Sequence, residues 1–213
     1  MKIHDFASQG NIGGVKQQLT NGVNIDCLDK SSQTPLMCAV SSTNASLEMV
    51  KFLVESGADV NAVGGEYDYT VLGFAVQSDN VDIIQYLLDA GADINYQRPS
   101  GYDVLIDAMC GYIQERENLV SIINLLIARG ANVKGVSQYG ESALKCASCE
   151  GRFDVVELLL KAGADPQRLE WTELMYAVAF GSIEETKRLI DAGFDELAWD
   201  SCNRTSWILS LEV

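Results

Sequence analysis

The chain has 213 residues, 47% of them apolar and 21% charged, which is enough apolar material for a core and excludes a disordered acidic protein. Thirty Asp and Glu against 15 Lys and Arg give a net charge of −15. Because nucleic-acid binders need Lys and Arg to replace phosphate counterions, direct binding to DNA or RNA is disfavoured. The same deficit disfavours docking on anionic lipid, whereas an acidic field attracts basic partners.

Six cysteines are scattered along the chain, at positions 27, 38, 110, 146, 149 and 202. The first ten residues lack the apolar centre of a signal peptide, and no run of about 18 apolar residues occurs. We therefore predict a cytoplasmic chain with free thiols. Cys146 and Cys149 form a C-x-x-C motif, which is compatible with redox chemistry or half a metal site. Without a second ligand pair nearby, a structural role is favoured, and we predict no metal or other cofactor.

A short phrase recurs along the chain, in its fullest form Gly57-Ala58-Asp59-Val60-Asn61. It begins at Gly22, Gly57, Gly91, Gly130, Gly163 and Gly193. An apolar segment with helical spacing precedes most copies, for example Val155 to Leu160, and the glycine is placed to end that helix. A shorter helix comes before it, opened by Thr or Ser as the N-cap, at Thr34, Thr70, Ser142 and Thr172. The sequence thus predicts repeated two-helix units of about 33 residues.

These repeats resemble the ankyrin-repeat family, and Thr34-Pro35-Leu36 and Gly57-Ala58-Asp59-Val60-Asn61 match its pattern best. The resemblance implies an all-α solenoid of stacked helix-turn-helix units with β-hairpin fingers. It implies a single array over 1–213 of six repeats and a partial seventh, at approximately 1–33, 34–69, 70–102, 103–141, 142–171, 172–204 and 205–213. His4, the only histidine, falls in the family's histidine slot and is expected to be structural.

Several positions depart from the family pattern. Two residues are inserted between Val40 and Val50 and six between Met109 and Ile123, while three are missing between Asp165 and Thr172. The longer insertion, which contains Tyr112, is either a functional loop or a tolerated surface insertion. Trp207 falls in a leucine slot of the pattern and is expected in the core. No polar terminal unit is evident, so we expect the native chain to continue beyond Val213.

In this family the fingers and short helices line a concave groove that binds partners. The slot before each repeat threonine holds Gln33, Tyr69, Tyr102, Glu141, Trp171 and Arg204. The candidate partner-binding residues in and near this groove are Tyr67, Tyr69, Phe74, Tyr102, Asp103, Asp107, Tyr112, Tyr139, Glu141, Glu150, Trp171, Tyr176, Phe180 and Trp199. Aromatic side chains dominate interface energies, and the interleaved carboxylates suit a basic or amphipathic protein partner. In the alternative, the rings pack finger against finger and only support the array.

A non-catalytic protein-recognition module is therefore the predicted function. With one histidine at the start of the chain, neither a Ser/His nor a Cys/His catalytic arrangement is available, so we do not expect an enzyme. A second hypothesis is an acidic inhibitor, similar to an immunity protein or antitoxin, that blocks a basic toxin or enzyme. The sequence leaves the oligomeric state and the identity of the partner open.

Overall fold

The computed structural model describes residues 2–43, 45–110 and 117–211 and divides into two compact units, Met1–Asn132 and Val133–Val213. The first unit contains α1 Ile3–Ser8, α2 Ile12–Thr20, α3 Pro35–Val40, α4 Leu47–Glu55, β1 Val63–Gly64, β2 Tyr69–Thr70, α5 Val71–Val76, α6 Val81–Asp89, α7 Val104–Met109 and α8 Leu119–Ala128. The second contains α9 Ala143–Cys149, α10 Phe153–Lys161, the 3-10 helix Pro166–Leu169, α11 Glu173–Phe180, α12 Ile183–Asp191 and α13 Ser206–Leu209. The predicted all-α class is confirmed, because the strands of the described residues form only one short hairpin.

The helices come in pairs, and within each unit the pairs stack. In the first unit α1 packs on α2, α3 on α4 and α5 on α6, while the short first helices α1, α3, α5 and α7 pack on one another in order. In the second unit α9 packs on α10, and α11 packs on both α12 and α13. The longer helices of the first unit also pack on one another from pair to pair, α4 on α6 and α6 on α8. No helix in the described ranges is long and apolar enough to cross a membrane.

The short helices begin where a hydroxyl can cap them. Thr34, Thr70 and Thr172 each accept a hydrogen bond from the backbone N–H three residues later, at 3.2, 2.9 and 3.3 Å. Asp103 takes this place before α7, and its Oδ1 accepts from the N–H groups of Leu105 and Ile106, both at 3.0 Å. These side chains satisfy amide groups that the first helical turn leaves without a partner.

The recurring phrase ends the longer helices and ties neighbouring pairs together. Gly57 has a φ of 95°, and the chain returns so that the N–H of Ala58 donates to the carbonyl of Leu53 at 3.1 Å. The Asn61 side chain accepts from the N–H of Asp93 at 2.7 Å and donates to the carbonyl of Gly91 at 3.0 Å. The last position of the phrase therefore bonds the loop of the next repeat, as Asp26 also does by accepting from the N–H of Asp59 at 3.1 Å. The Asp59 carboxylate instead accepts from the N–H of Asn61 at 2.9 Å, within its own phrase.

The core of each unit is made of aliphatic side chains from both helices of a pair. Leu36, Leu53, Ile83 and Ile106 are fully buried in the first unit. In the second, Leu174 packs with Leu189, and Met175 packs with Leu209. Full burial of one such side chain stabilises the fold by about 1.5–3 kcal/mol, so the stacking of pairs supplies the main driving force.

The prediction that Trp207 lies in the core is wrong. Its side chain is 59% exposed, and its Nε1 donates to Glu196 Oε2 at 3.1 Å. Helix α13 has four residues, and Ser206 and Leu209 are the two that it buries. His4 is buried as expected, and its Nε2 lies 2.9 Å from the carbonyl of Cys27.

Candidate recognition surfaces

The first candidate surface centres on Arg98, whose guanidinium lies between two tyrosine rings. Its Cζ is 4.1 Å from the centroid of Tyr69 and 4.5 Å from that of Tyr102. The side chain is 7% exposed, and one guanidinium nitrogen forms an ion pair with Asp107. We call Tyr69, Arg98, Tyr102 and Asp107 the arginine cluster. Cation–π attraction is strongest when the cation is desolvated, as here, so both rings help to hold a buried charge in place.

A glycine makes room for this cluster. Gly73 stands in the histidine slot of its repeat, and a Cβ there would lie 3.1 Å from Asp107 Oδ2 and 3.2 Å from the Tyr69 ring. Contacts that close force their neighbours to move. The departure from histidine at this position is therefore explained by the carboxylate and the ring that occupy the space.

Two predicted groove carboxylates, Asp103 and Asp107, are not available to a partner. Both are buried, because Asp103 caps α7 and Asp107 pairs with Arg98. Burial raises the pKa of Asp107 to about 7 against the opposing effect of Arg98. Burial also raises the pKa of Asp103, although two backbone N–H groups bond its carboxylate. The expectation that these acids interleave with exposed rings is corrected for both positions.

Phe74 and Tyr67 extend the first surface outward. The Phe74 ring is half-buried and lies 5.1 Å from the Tyr69 ring, centroid to centroid. Tyr67, near the tip of the β1–β2 finger, is 58% exposed. The finger is held by antiparallel pairing of Val63 with Thr70 and of Gly64 with Tyr69. Phe74 and Tyr67 are thus the accessible rings of this surface. The rings of Tyr69 and Tyr102 pack on Arg98, which leaves less of them for a partner.

The second surface centres on Trp171. Its ring lies 5.2 Å from Tyr176, 5.9 Å from Phe180 and 6.2 Å from Phe153, between centroids. We call these four residues the tryptophan cluster. Trp171 Nε1 donates to Asp200 Oδ2 at 3.1 Å, which fixes the indole, and Phe180 at the edge is 40% exposed. The structure therefore assembles three predicted residues, Trp171, Tyr176 and Phe180, into one packed aromatic patch.

Asp200 and Arg204 hold the last finger against α9. Arg204 is buried, forms an ion pair with Asp200 at 2.8 Å and donates to the carbonyl of Ser148 at 2.8 Å. Cys149 and Cys202 form a disulfide with a Cα–Cα distance of 5.3 Å. The prediction that all six cysteines are free thiols is corrected, because the finger brings Cys202 within bonding range of α9.

The remaining predicted residues are more scattered. Tyr139 and Trp199 are exposed, Glu141 is half-buried, and Glu150 is exposed at the end of α9. Tyr112 lies outside the described residues. No group of three or more His, Cys, Asp or Glu in the described part of the chain is placed to hold a metal ion.

Sequence reasoning missed the role of three polar residues: Arg98, Asp200 and Arg204. A signal for Arg98 was present, because the same position is aspartate or serine in three other fingers, at Asp29, Ser137 and Asp200. At Asp29 the side-chain oxygen accepts from the N–H groups of Ser31 and Gln33, at 2.8 and 2.9 Å. An arginine cannot accept these bonds, so its presence there marked a different use.

Comparison with known proteins agrees with this architecture. A family model described as ankyrin repeats (3 copies) matches residues 3–98 and 108–170, more than half of the chain. The chain is 29% identical over 202 residues to the palmitoyltransferase AKR1 of Lachancea kluyveri, covering 91% of this chain and 27% of that protein. It is 31% identical over 178 residues to the ankyrin repeat protein nuc-2 of Neurospora crassa, covering 82% of this chain and 16% of that protein. The chain thus spans less than a third of either relative. Because its helix pairs stack and the family model matches more than half of its residues, the chain belongs to the ankyrin-repeat family.

Proposed function

We propose that this chain is a non-catalytic recognition module that binds a basic protein segment through its fingers and first helices. Ankyrin repeats are protein-interaction modules, which supports a protein as the partner. The finer features are our inference: one array of six repeats and a partial seventh, a cytoplasmic location, and a concave aromatic and acidic face. The likeness to a palmitoyltransferase covers 27% of that enzyme and is not evidence of acyl transfer here.

The tryptophan cluster is the observation that carries this proposal. Its rings are held in place before any partner arrives, since Trp171 is bonded to Asp200 and packed on three other rings. A preorganised aromatic patch loses little conformational entropy on binding. Glu170 and Glu173 flank Trp171 in the sequence and are exposed. Carboxylates around an aromatic patch favour a partner that carries Lys or Arg.

Phe180 offers the cleanest test, because Phe194 provides a matched control. The two phenylalanines belong to the same unit and are 40% and 38% exposed, but only Phe180 packs on Trp171. Partners are captured from the native host, identified by mass spectrometry and titrated against purified wild type and variants. We expect Phe180→Ala to weaken binding by at least about 1 kcal/mol, roughly fivefold or more, and Phe194→Ala to leave it unchanged.

The acidic character of the surface is tested by the same titration at several salt concentrations. Binding of a basic partner should weaken as sodium chloride increases, because exposed charges are screened. If Phe180→Ala and Phe194→Ala change the affinity equally, the tryptophan cluster is not part of the interface. An affinity that does not change with salt would reject the basic partner.

The second candidate is an acidic inhibitor of a basic toxin or enzyme, and the net charge of −15 favours it. An inhibitor must abolish the activity of the protein it binds. Adding the chain to a captured enzyme at increasing ratios separates the two functions, since a recognition module that is not an inhibitor leaves turnover intact.

A further inference from the structure

The last finger of the second unit, residues 195–204, is joined to α9 by a covalent bond. The finger carries Cys202, and its disulfide partner Cys149 is the last residue of α9. Cys149 is exposed and Cys202 is half-buried, so Cys149 is the more accessible end of the bond. Exposed disulfides are the ones that reductants reach and that act as labile, regulatory bonds.

The same finger holds the indole of Trp171. Asp200 Oδ2 accepts from Trp171 Nε1 at 3.1 Å, while Asp200 Oδ1 accepts from the backbone N–H of Cys202 at 2.8 Å. The Asp200 side chain is fully buried. One carboxylate therefore joins the backbone beside the disulfide to the centre of the tryptophan cluster. A displacement of Cys202 also displaces the acceptor to which the indole is bonded.

The other contacts that hold this finger on α9 are polar. Arg204 donates to the carbonyl of Ser148 at 2.8 Å and pairs with Asp200. The attraction within a buried ion pair is largely offset by the cost of taking both charges out of water. Leu197 and Trp199, which precede Asp200, are 71% and 62% exposed, so their side chains bury little apolar area. The disulfide is therefore the main connection that keeps the finger on α9.

We propose that the Cys149–Cys202 bond is a redox switch for the tryptophan cluster. With the bond intact, the finger stays on α9, and Asp200 holds the indole of Trp171 in the arrangement that binds the partner. When a dithiol reduces the bond, the finger opens locally, the indole loses its acceptor and the aromatic patch loses its preorganisation. This inference rests on the proposed function and assigns its regulation.

The reduction is a thiol–disulfide exchange in which the dithiol is the reductant. One thiolate of the dithiol attacks the sulfur of Cys149. The S–S bond breaks, and the electron pair leaves on the sulfur of Cys202, which takes up a proton. The second thiolate attacks the dithiol's own sulfur in the mixed disulfide, so that Cys149 leaves and is protonated. Two electrons and two protons thus pass to the cysteines, and the dithiol becomes an intramolecular disulfide.

The first test follows the indole N–H of Trp171 by NMR in the intact 213-residue chain, with and without dithiothreitol. The signal is assigned by its loss in Trp171→Phe. We expect reduction to shift this signal and to speed its exchange with solvent at least about tenfold. The N–H signals of α10 should stay at their folded positions, because only the finger opens. Cys202→Ser should resemble the reduced chain without reductant, and Cys27→Ser should respond to dithiothreitol as wild type does.

The second test measures binding in both redox states. Cysteine-free peptides of twelve residues are selected from a displayed random library on the oxidised chain. Those that lose affinity with Phe180→Ala are kept as probes of the tryptophan cluster. We expect their affinity to fall about 3- to 10-fold on reduction, the range that applies when the closed finger becomes a minority form. Cys202→Ser should bind them equally weakly with and without dithiothreitol.

Three results would overturn the switch. An indole signal that reduction does not change shows that Asp200 holds Trp171 without the disulfide. Loss of the folded α10 signals shows that the bond supports the whole unit and not the finger alone. An altered indole signal with unchanged peptide affinity shows that the cluster binds without this preorganisation. Failure to select any peptide that depends on Phe180 instead contradicts the proposed function, and the indole signal then still decides whether the disulfide controls the cluster.

Discussion

Arg98 and Asp107 are two charged residues that lie in the interior of the first unit. Both are buried, and each keeps the other from being an isolated charge. Breaking such a pair costs more than forming it gains, because the remaining ion stays buried. The two tyrosines beside Arg98 therefore have a structural role, whether or not they also contact a partner.

This arrangement predicts that Tyr102 matters for stability. We expect Tyr102→Ala to lower the free energy of unfolding by about 2–4 kcal/mol, because it removes a large packed ring and uncovers Arg98. Tyr67→Ala is the control, since that ring is exposed and should change stability by under about 1 kcal/mol. Urea unfolding followed by circular dichroism measures both. Equal stability of the two variants would show that Tyr102 does not support the arginine cluster.

Asp107 predicts a dependence of stability on pH. Its pKa is raised to about 7 in the folded state, whereas an unfolded aspartate titrates near about 3.9. Between these values the folded state binds more protons than the unfolded state, so stability from this group falls as pH rises. The contribution of Asp107 to the free energy of unfolding is complete below about pH 4 and is lost above about pH 7.

The test measures the free energy of unfolding of wild type and of Asp107→Asn at pH 5 and at pH 8. Asp107→Asn removes this titration, so its free energy of unfolding should fall less than that of wild type as pH rises from 5 to 8. Asp82→Asn, at an exposed position on α6, should follow wild type. A variant slope equal to or steeper than that of wild type would show that Asp107 is already ionised at pH 5.

At the scale of elements, local signals predicted the fold well. The threonines that open α3, α5 and α11 act as caps, and glycine ends α4 in the left-handed region, because these effects depend on neighbours within a few residues. Asp103 was misassigned to the groove although aspartate is a good N-cap. Its position in the threonine slot was the signal that indicated the capping role.

Pairings between distant segments could not be predicted in the same way. Cys149 and Cys202 are 53 residues apart, and only the return of the last finger to α9 brings them together. The burial of Arg98 likewise depends on rings from two successive fingers. Both features arise from packing of neighbouring repeats, which the spacing of apolar residues within one repeat does not encode.

The disulfide predicts a redox-dependent stability of the second unit. We expect Cys202→Ser to lower the free energy of unfolding by about 2–4 kcal/mol without reductant, since the bond limits the unfolded chain. In excess reductant the difference should disappear. Cys27→Ser, which breaks no disulfide, is the control. Oxidised, denatured wild type should also show two fewer reactive thiols than reduced, denatured wild type, and an equal thiol count would contradict the bond.

At the scale of the whole molecule, the dominant property is the excess of carboxylates. The net charge is −15, and the described ion pairs include two that are buried, Arg98–Asp107 and Arg204–Asp200. Buried pairs are screened little by salt, whereas repulsion among exposed carboxylates is screened strongly. Salt should therefore relieve self-repulsion in the folded state while leaving the internal pairs intact.

We predict that the thermal midpoint rises by about 2–4 °C between 0.01 M and 0.15 M sodium chloride, corresponding to roughly 1 kcal/mol for a chain of this size. Over this range the screening length falls from about 30 Å to about 8 Å. Sodium sulfate at matched ionic strength is the control, because a larger rise with sulfate would indicate exclusion of the salt from the protein surface. A midpoint that falls with salt would mean that attraction among exposed ion pairs outweighs the repulsion. That outcome would also weaken the case for basic partners. The exposed carboxylates that repel one another in the free chain are the groups that attract a basic partner, and salt screens both effects.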